Sequence, residues 1–368
     1  MEPPYRIDPD PARAGTLPGR FYRDPAAFED LRDVFARSWQ WVGPLSGPGS
    51  EPRAEPLTLL PGFLDEPLVL TRDEAGAVRC LSNVCTHRAN LVAAEAGPCR
   101  ALQCRYHGRR FDLAGRLLSM PGFEGVEDFP SERDHLPEVA SGLLGDQRFV
   151  SLDPGHDFEA LVAPVRERVG ALPLEEFRHD PSRSRRFQVH AHFALYLDNY
   201  LEGFHIPYVH PDLARAVEFD SYSVETFPFA SLQRALPKEG EPRFDGPLSA
   251  HDGGEAAAAY YFWLYPNTML NFYPWGLSVN VVLPQALDRT QVLFESYVWR
   301  PELLDRGAGG ALDKVEREDE EVVECVQRGV RSRLYGRGRY SARHEGGVHH
   351  FHRLLGEDLV RVAANGRA

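Results

Sequence analysis

Between Asp24 and Arg37 the apolar residues Phe28, Leu31, Val34 and Phe35 recur at helical spacing, after a plausible start at Asp24-Pro25. From Trp39 to about Asp153 the period changes. Short alternating runs such as Leu68-Val69-Leu70 and Phe149-Val150-Ser151-Leu152 are cut by Gly, Pro and Asp, which predicts a small β domain. Beyond it, residues 156–172 read as helical, and a further helix is expected over about 192–204. Strands are expected near 260–264, 277–283 and 291–299. The stretch 237–255 is rich in Pro, Gly and charge and reads as a surface loop. A long helix is expected over 312–334 and a last one over 346–362. Strands mixed with helices in this second half make an α+β layout. The predicted organisation is an N-terminal helical segment (1–37), a small all-β domain (38–155) and a larger domain (156–368).

Composition adds little to that picture beyond exclusions. With 368 residues, 43% hydrophobic and 26% charged, the chain is long enough for two well-formed cores. A net charge of −13 argues against a nucleic-acid-binding surface and favours basic partners or substrates. No apolar run reaches about 18 residues, so no membrane span is expected. Met1-Glu2-Pro3-Pro4-Tyr5 has neither a basic nor an apolar leader character. Five cysteines over this length do not form a disulfide framework. A reducing cytoplasm is the expected location, with Cys80, Cys99 and Cys325 as small buried or half-buried thiols.

Two of the cysteines change the picture. Cys85-Thr86-His87 and Cys104-Arg105-Tyr106-His107 read C-x-H, sixteen residues, C-x-x-H. Each loop carries one thiolate and one imidazole. That is what a Rieske [2Fe–2S] cluster needs, with both cysteines on one iron and both histidines on the other. A structural zinc also accepts two Cys and two His, but zinc fingers usually keep like ligands together, as C-x₂₋₄-C with H-x₃₋₅-H. The Rieske reading is therefore preferred. Such a cluster passes single electrons, which require a destination.

A second candidate centre lies in the helical stretch Asn199-Tyr200-Leu201-Glu202-Gly203-Phe204-His205-Ile206-Pro207-Tyr208-Val209-His210. Five positions on one continuous helix rotate by about 140°, a poor arrangement for two ligands of one ion. Pro207 breaks the helix after His205 and lets His210 swing back. Two histidines and one carboxylate make the facial triad of non-haem Fe(II) oxygenases, which leaves positions open for O₂. The residue pattern alone does not separate Asp319 from Glu316, Glu318, Glu320 or Glu321 as the carboxylate.

Taken together, C-x-H-x₁₆-C-x-x-H, then N-x-x-E-x-x-H-x₄-H about ninety residues later, then Glu318-Asp319-Glu320-Glu321 running into Gln327-Arg328-Gly329, resemble the α subunits of Rieske non-haem iron oxygenases. These are the aromatic ring-hydroxylating dioxygenases and their relatives, and the nearest look is to the branch containing choline and carnitine monooxygenases. The resemblance covers nearly the whole chain. It implies a Rieske domain beside a helix-grip (START-like) catalytic domain, with Cys85, His87, Cys104 and His107 on the cluster. His205, His210 and Asp319 would hold the mononuclear iron, Asp319 standing eight residues before the Gln-Arg-Gly motif. Glu202 matches the family's bridging carboxylate, here joining His107 of one subunit to His205 of the next, and Asn199 matches an asparagine beside the iron. A homotrimer is implied, with a separate reductase or ferredoxin relaying electrons from NAD(P)H, O₂ as co-substrate and a small organic molecule as substrate.

Two departures stand out. Arg109 occupies a place where many members have Trp, and Ala191-His192-Phe193-Ala194 replaces a more common Asn-Trp-Lys start. The C-terminal group Glu345, His349, His350 and His352 looks like a ligand set but reads better as helix packing. The dense aromatic stretch Tyr260–Tyr265 and Phe272–Trp275 offers rings for a cavity wall, about half of them on one face of their strands. Such rings suit a quaternary ammonium through cation–π attraction and suit a flat aromatic equally well. The chemistry the resemblance implies is hydroxylation or oxidative N-demethylation of a small molecule such as a quaternary amine. The alternatives are ring dihydroxylation by the same centres and an electron carrier without oxygenase chemistry.

Overall fold

The alternating runs of the first half fold into short antiparallel strands: β1 (Gln40–Trp41), β2 (Arg53–Leu59), β3 (Glu66–Arg72), β4 (Val78–Ser82), β5 (Gly97–Pro98), β6 (Leu102–Gln103), β7 (Arg110–Phe111), β8 (Leu117–Ser119), β9 (Glu138–Leu144) and β10 (Gln147–Ser151). Seven of them form a sheet in the order β1-β10-β9-β4-β3-β2-β5, and β6-β7-β8 form a second, smaller one. The computed structural model describes residues 5–47, 49, 51–218, 221–310 and 312–365. By contact density the chain divides into two units, Trp39–Pro154 and Met1–Ser38 with Gly155–Ala368. The core of the first unit gathers Val69, Leu81, Phe111, Leu113 and Leu136 around Cys85 and Cys104. Both candidate cluster cysteines are thus rooted in apolar packing at the base of their loops.

In the other unit, β11 (Arg178–His179), β12 (Arg185–Val189), β13 (Ser223–Phe227), β14 (Ala230–Ala235), β15 (Ala259–Leu264), β16 (Thr268–Tyr273), β17 (Gly276–Ala286) and β18 (Arg289–Val298) build one antiparallel sheet. Its order is β11-β18-β17-β16-β15-β14-β13, with β12 also on β18. The helices are α1 (Pro25–Arg37), α2 (Phe158–Val169), α3 (Phe193–Tyr200), α4 (Ile206–Val209), α5 (Leu213–Ala216), α6 (Leu312–Gly329) and α7 (Gly346–Asn365). The architecture is α+β. Asp24 starts α1 by accepting from the Ala26 N–H, with Pro25 at the first helical position.

Three expectations need correction. The helix expected over 192–204 stops at Tyr200, short of Gly203, a residue poor at continuing a helix, which lies close to the Tyr222 ring. The helix expected to reach residue 334 ends at Gly329. Cys325 is exposed rather than buried. The β16 strand escaped notice because it is buried along its whole length and so carries no alternation.

α3 and α6 pack together through polar contacts that set their register. The His192 and His190 N–H groups donate to Gln327 Oε1 and Glu324 Oε1, each at 2.9 Å. His192 itself caps α3, its Nδ1 accepting from the Ala194 N–H at 3.2 Å, amid the rings of Phe21, Tyr22 and Phe28. Burial with nothing bonded to Nε2 lowers its pKa from 6.5 to about 3. The unfolded chain therefore takes up this proton first as pH falls. Stability from neutral His192 is complete above its unfolded value of 6.5 and is lost on acidification towards 3, at up to about 1.4 kcal/mol per pH unit. His192→Asn, which keeps a capping side chain, should flatten the dependence of the urea midpoint on pH across that window. An unchanged slope would refute the assignment.

Candidate functional site

The two Cys/His loops close on themselves in the same way. In one, the Cys85 N–H donates to the Asn90 carbonyl and the Ala89 N–H returns to the Cys85 carbonyl, at 2.9 and 3.0 Å. In the other, between β6 and β7, the Cys104 N–H donates to the Arg109 carbonyl at 2.8 Å and the Gly108 N–H to the Cys104 carbonyl at 3.0 Å. Gly108 turns at φ +74°, a conformation suited to glycine. The thiols are buried, while the His87 and His107 rings lie 4.7 Å apart at the loop tips. Tyr106 stacks on His107 at 3.8 Å.

Burial pushes the Cys85 thiol up. It acts on Cys104 in the same direction, but there the Tyr106 N–H, the Cys85 thiol, the Asn90 amide and the His107 N–H more than offset it and the thiol is held below its ordinary value. Asn90 Nδ2 lies 3.5 Å from Cys104 Sγ. Two buried sulfurs met by N–H donors, with two imidazoles beside one another, are a donor set that fits a Rieske cluster.

Arg109 is where the packing departs from expectation. Its guanidinium is 1% exposed, paired with Asp134 at 2.6 Å and lying 5.5–5.9 Å from the rings of Phe111, Phe123 and Phe129. Asp134 in turn takes the Ser131 N–H, and its backbone carbonyl accepts from the Thr86 hydroxyl at 2.8 Å, between Cys85 and His87. Thus one buried ion pair ties the second loop to the first. Asp134→Asn strands a buried cation and should cost about 3–5 kcal/mol in this unit, read as earlier denaturant loss of its visible absorbance. Pairing it with Arg109→Met should restore much of the loss.

In the second unit, His205, His210 and Asp319 come together, with one ligand atom from each within 4.8 Å of the others. His210 Nε2 lies 2.9 Å and His205 Nε2 3.5 Å from Asp319 Oδ1. Each imidazole meets a second carboxylate on its far nitrogen: His205 Nδ1 meets Glu202 Oε1 and His210 Nδ1 meets Glu318 Oε2, both at 2.8 Å. That arrangement turns both Nε2 atoms inward and makes them stronger donors. Burial alone would lower the pKa of His210, but Asp319 and Glu318 raise it. Asn199 Nδ2 donates to Asp319 Oδ1 at 2.5 Å. Two neutral nitrogens and one carboxylate oxygen fit a ferrous ion of the facial-triad type.

Two profiles match the chain: "Ring hydroxylating alpha subunit (catalytic domain)" over residues 181–359 and "Rieske [2Fe-2S] domain" over residues 58–130. Choline monooxygenase of Arabidopsis thaliana chloroplasts is 31% identical, over 94% of this chain and 83% of its own. The oxygenase subunit of carnitine monooxygenase from Escherichia coli (strain K12) is 31% identical, over 96% of both. The chain belongs to the Rieske non-haem iron oxygenases. Its fold matches those of the quaternary ammonium Rieske monooxygenase CntA in complex with L-carnitine (TM-score 0.73, 24% identity, 95% of this chain and 97% of that one) and of naphthalene 1,2-dioxygenase from Rhodococcus sp. (TM-score 0.68, 16% identity, 95% of both).

In this oxygenase a cavity open to solvent at its mouth adjoins the His205–His210–Asp319 group. One wall is a row across the sheet: Gln233, Tyr261, Asn271 and Ser278 pair in register on β14, β15, β16 and β17 and all face inward. Facing them are Tyr196, Asn199 and Tyr200 of α3, with Tyr222 and Tyr273 at the sides. Of the aromatic stretch only Tyr261 and Tyr273 reach the cavity. Tyr260 instead donates to Asp252, and Trp263 packs on Phe351. The tempting C-terminal histidines are structural. His349 Nε2 meets the Asp8 carbonyl at 2.8 Å, and His352 lies between Tyr340 and Asp198. Sequence reasoning missed Glu318 as a partner of His210, and among the cavity residues it missed Tyr196, Gln233, Asn271, Ser278 and Asn280. None of these belongs to a contiguous motif.

Proposed function

We propose that this chain is the terminal oxygenase component of a multi-protein system that uses O₂ to hydroxylate, or oxidatively N-demethylate, a small quaternary amine. The tyrosine-walled cavity opening beside His205, His210 and Asp319 carries this reading, since tyrosine faces attract a quaternary ammonium. Relatives named for choline and carnitine support it. When bound, the cluster at Cys85, His87, Cys104 and His107 supplies electrons singly, and the iron at His205, His210 and Asp319 activates O₂. Glu202 and Glu318 orient the two imidazoles, and Asn199 holds Asp319. The tyrosines exclude water and place the substrate methyl or methylene near the iron.

Where an N-methyl is hydroxylated, the carbinolamine loses formaldehyde to leave the demethylated amine. Electrons reach the cluster from NAD(P)H through a separate reductase or ferredoxin. In a homotrimer, Glu202 links His205 to His107 of the partner subunit. No helix among the described residues is long and apolar enough to cross a membrane, and a cytoplasmic location accords with the free cysteines. The test is O₂ consumption with a surrogate reductase over quaternary amines and aromatic acids. Substrate-dependent uptake with the amines is expected. Uptake with the aromatic acids alone would replace this reading with ring dihydroxylation. A Rieske signal without any substrate-dependent uptake, after Fe(II) reconstitution, would reduce the chain to an electron carrier.

A further inference from the structure

The cavity contains a carboxylate that the iron site does not use. Glu316 of α6 is 4% exposed. Its Oε2 accepts from the Tyr196 hydroxyl at 2.6 Å, whereas its Oε1 is buried with no hydrogen-bond partner. It lines the cavity and lies outside the converging group of His205, His210 and Asp319. A buried carboxylate oxygen without a partner is costly unless a cation or donor meets it.

Among the described residues lining the cavity there is no lysine or arginine. On the neighbouring helices, Arg215 and Lys314 both hold Asp212, at 2.8 and 2.5 Å. The opposite wall offers the neutral polar groups of Asn271, Ser278 and Asn280.

From this we infer that Glu316 is the charge receptor of the cavity, and that the molecule admitted is a monocation: an ammonium whose other end is a neutral hydroxyl rather than a carboxylate. The inference deepens the quaternary-amine reading above and rests on it. A cation beside Glu316 satisfies the orphaned oxygen and gains from low-dielectric surroundings. A zwitterion brings the same cation together with a carboxylate that finds no basic partner and faces Glu316 and Glu202 in the same enclosure. Amide and hydroxyl groups on the far wall can pair with an alcohol without that penalty. Burial pushes the Glu316 carboxyl well above its ordinary value, the Tyr196 hydroxyl opposing and Asp319 reinforcing, and this is the burden a bound cation relieves.

Anaerobic calorimetry on the iron-loaded enzyme decides it, with four probes: choline, its carbon isostere 3,3-dimethylbutan-1-ol, L-carnitine and gamma-butyrobetaine. Choline should bind at least about tenfold more tightly than each of the others, about 1.4 kcal/mol. Glu316→Gln should weaken choline about tenfold and close the gap to the isostere, while iron content and the Rieske spectrum stay as in the parent. Carnitine binding as tightly as choline, or choline binding unchanged in Glu316→Gln, would overturn the inference and leave the quaternary-amine reading standing. If no ammonium compound binds and an aromatic acid does, that reading falls and takes the inference with it.

Discussion

Asp319→Ala should lower the iron content from about three to about two per chain and reduce substrate-dependent O₂ uptake by more than about 100-fold, with the Rieske EPR signal unchanged. Asp319 Oδ1 is the point on which both imidazole Nε2 atoms and the Asn199 amide converge. No neighbour can take its place. Glu318 is committed to the opposite, Nδ1 side of His210, and the hydrogen-bonded oxygen of Glu316 faces Tyr196. The cluster loops belong to a different unit of the chain, so their spectrum serves as an internal control. Retention of the third iron would transfer the ligand role to another acid of α6. Loss of the cluster signal would mean that the substitution had unfolded more than the site.

Glu202→Gln should leave both centres loaded and still reduce turnover by more than about 100-fold. The two carboxylate oxygens have separate duties. Oε1 faces His205 Nδ1 at 2.8 Å, while Oε2 accepts from the Phe204 and His205 N–H groups of its own turn. Glutamine has a single acceptor oxygen. It can serve the ring or the turn but not both, and it removes the negative charge beside His205. Metal analysis and EPR separate a broken electron path from a lost metal. Normal turnover in a fully loaded variant would rule out the bridging role.

How far these sites could be read from the sequence follows from how local their parts are. Cys85, His87, Cys104 and His107 sit in two short loops, so their spacing marks them as candidates; His205 and His210 gain weight only beside that pattern, and the role of Glu202 comes with the family resemblance. Asp319 lies more than one hundred residues further on, among six other acids of one helix. Only the packing of α6 against α3 distinguishes them, putting Glu316, Val323 and Gln327 inside and leaving Glu321 in solvent. The partnership of Glu318 with His210 depends on the same packing and leaves no mark in the sequence. The aromatic stretch was visible as a block. Which rings reach the cavity depended on strand register, since Tyr260 and Tyr261 are neighbours in sequence that point to opposite faces. The early end of α3 at Tyr200 is not encoded by the apolar period, which runs on through Leu201 and Phe204.

The inward row Gln233, Tyr261, Asn271 and Ser278 lies on strands, whereas His205, His210 and Asp319 lie on α6 and the turn that follows α3. The two sets are carried by different elements and meet at Tyr200, whose hydroxyl donates to Asn271 Oδ1 and whose carbonyl accepts from Gln233 Nε2. Ser278 donates to Asn280 of its own strand, so a change there alters the far wall locally, whereas a change at Asn271 removes the acceptor of the Tyr200 hydroxyl, two residues before Glu202. An engineer reshaping this cavity would therefore begin at Ser278 and keep Asn271 in place as the strut that steadies the end of α3.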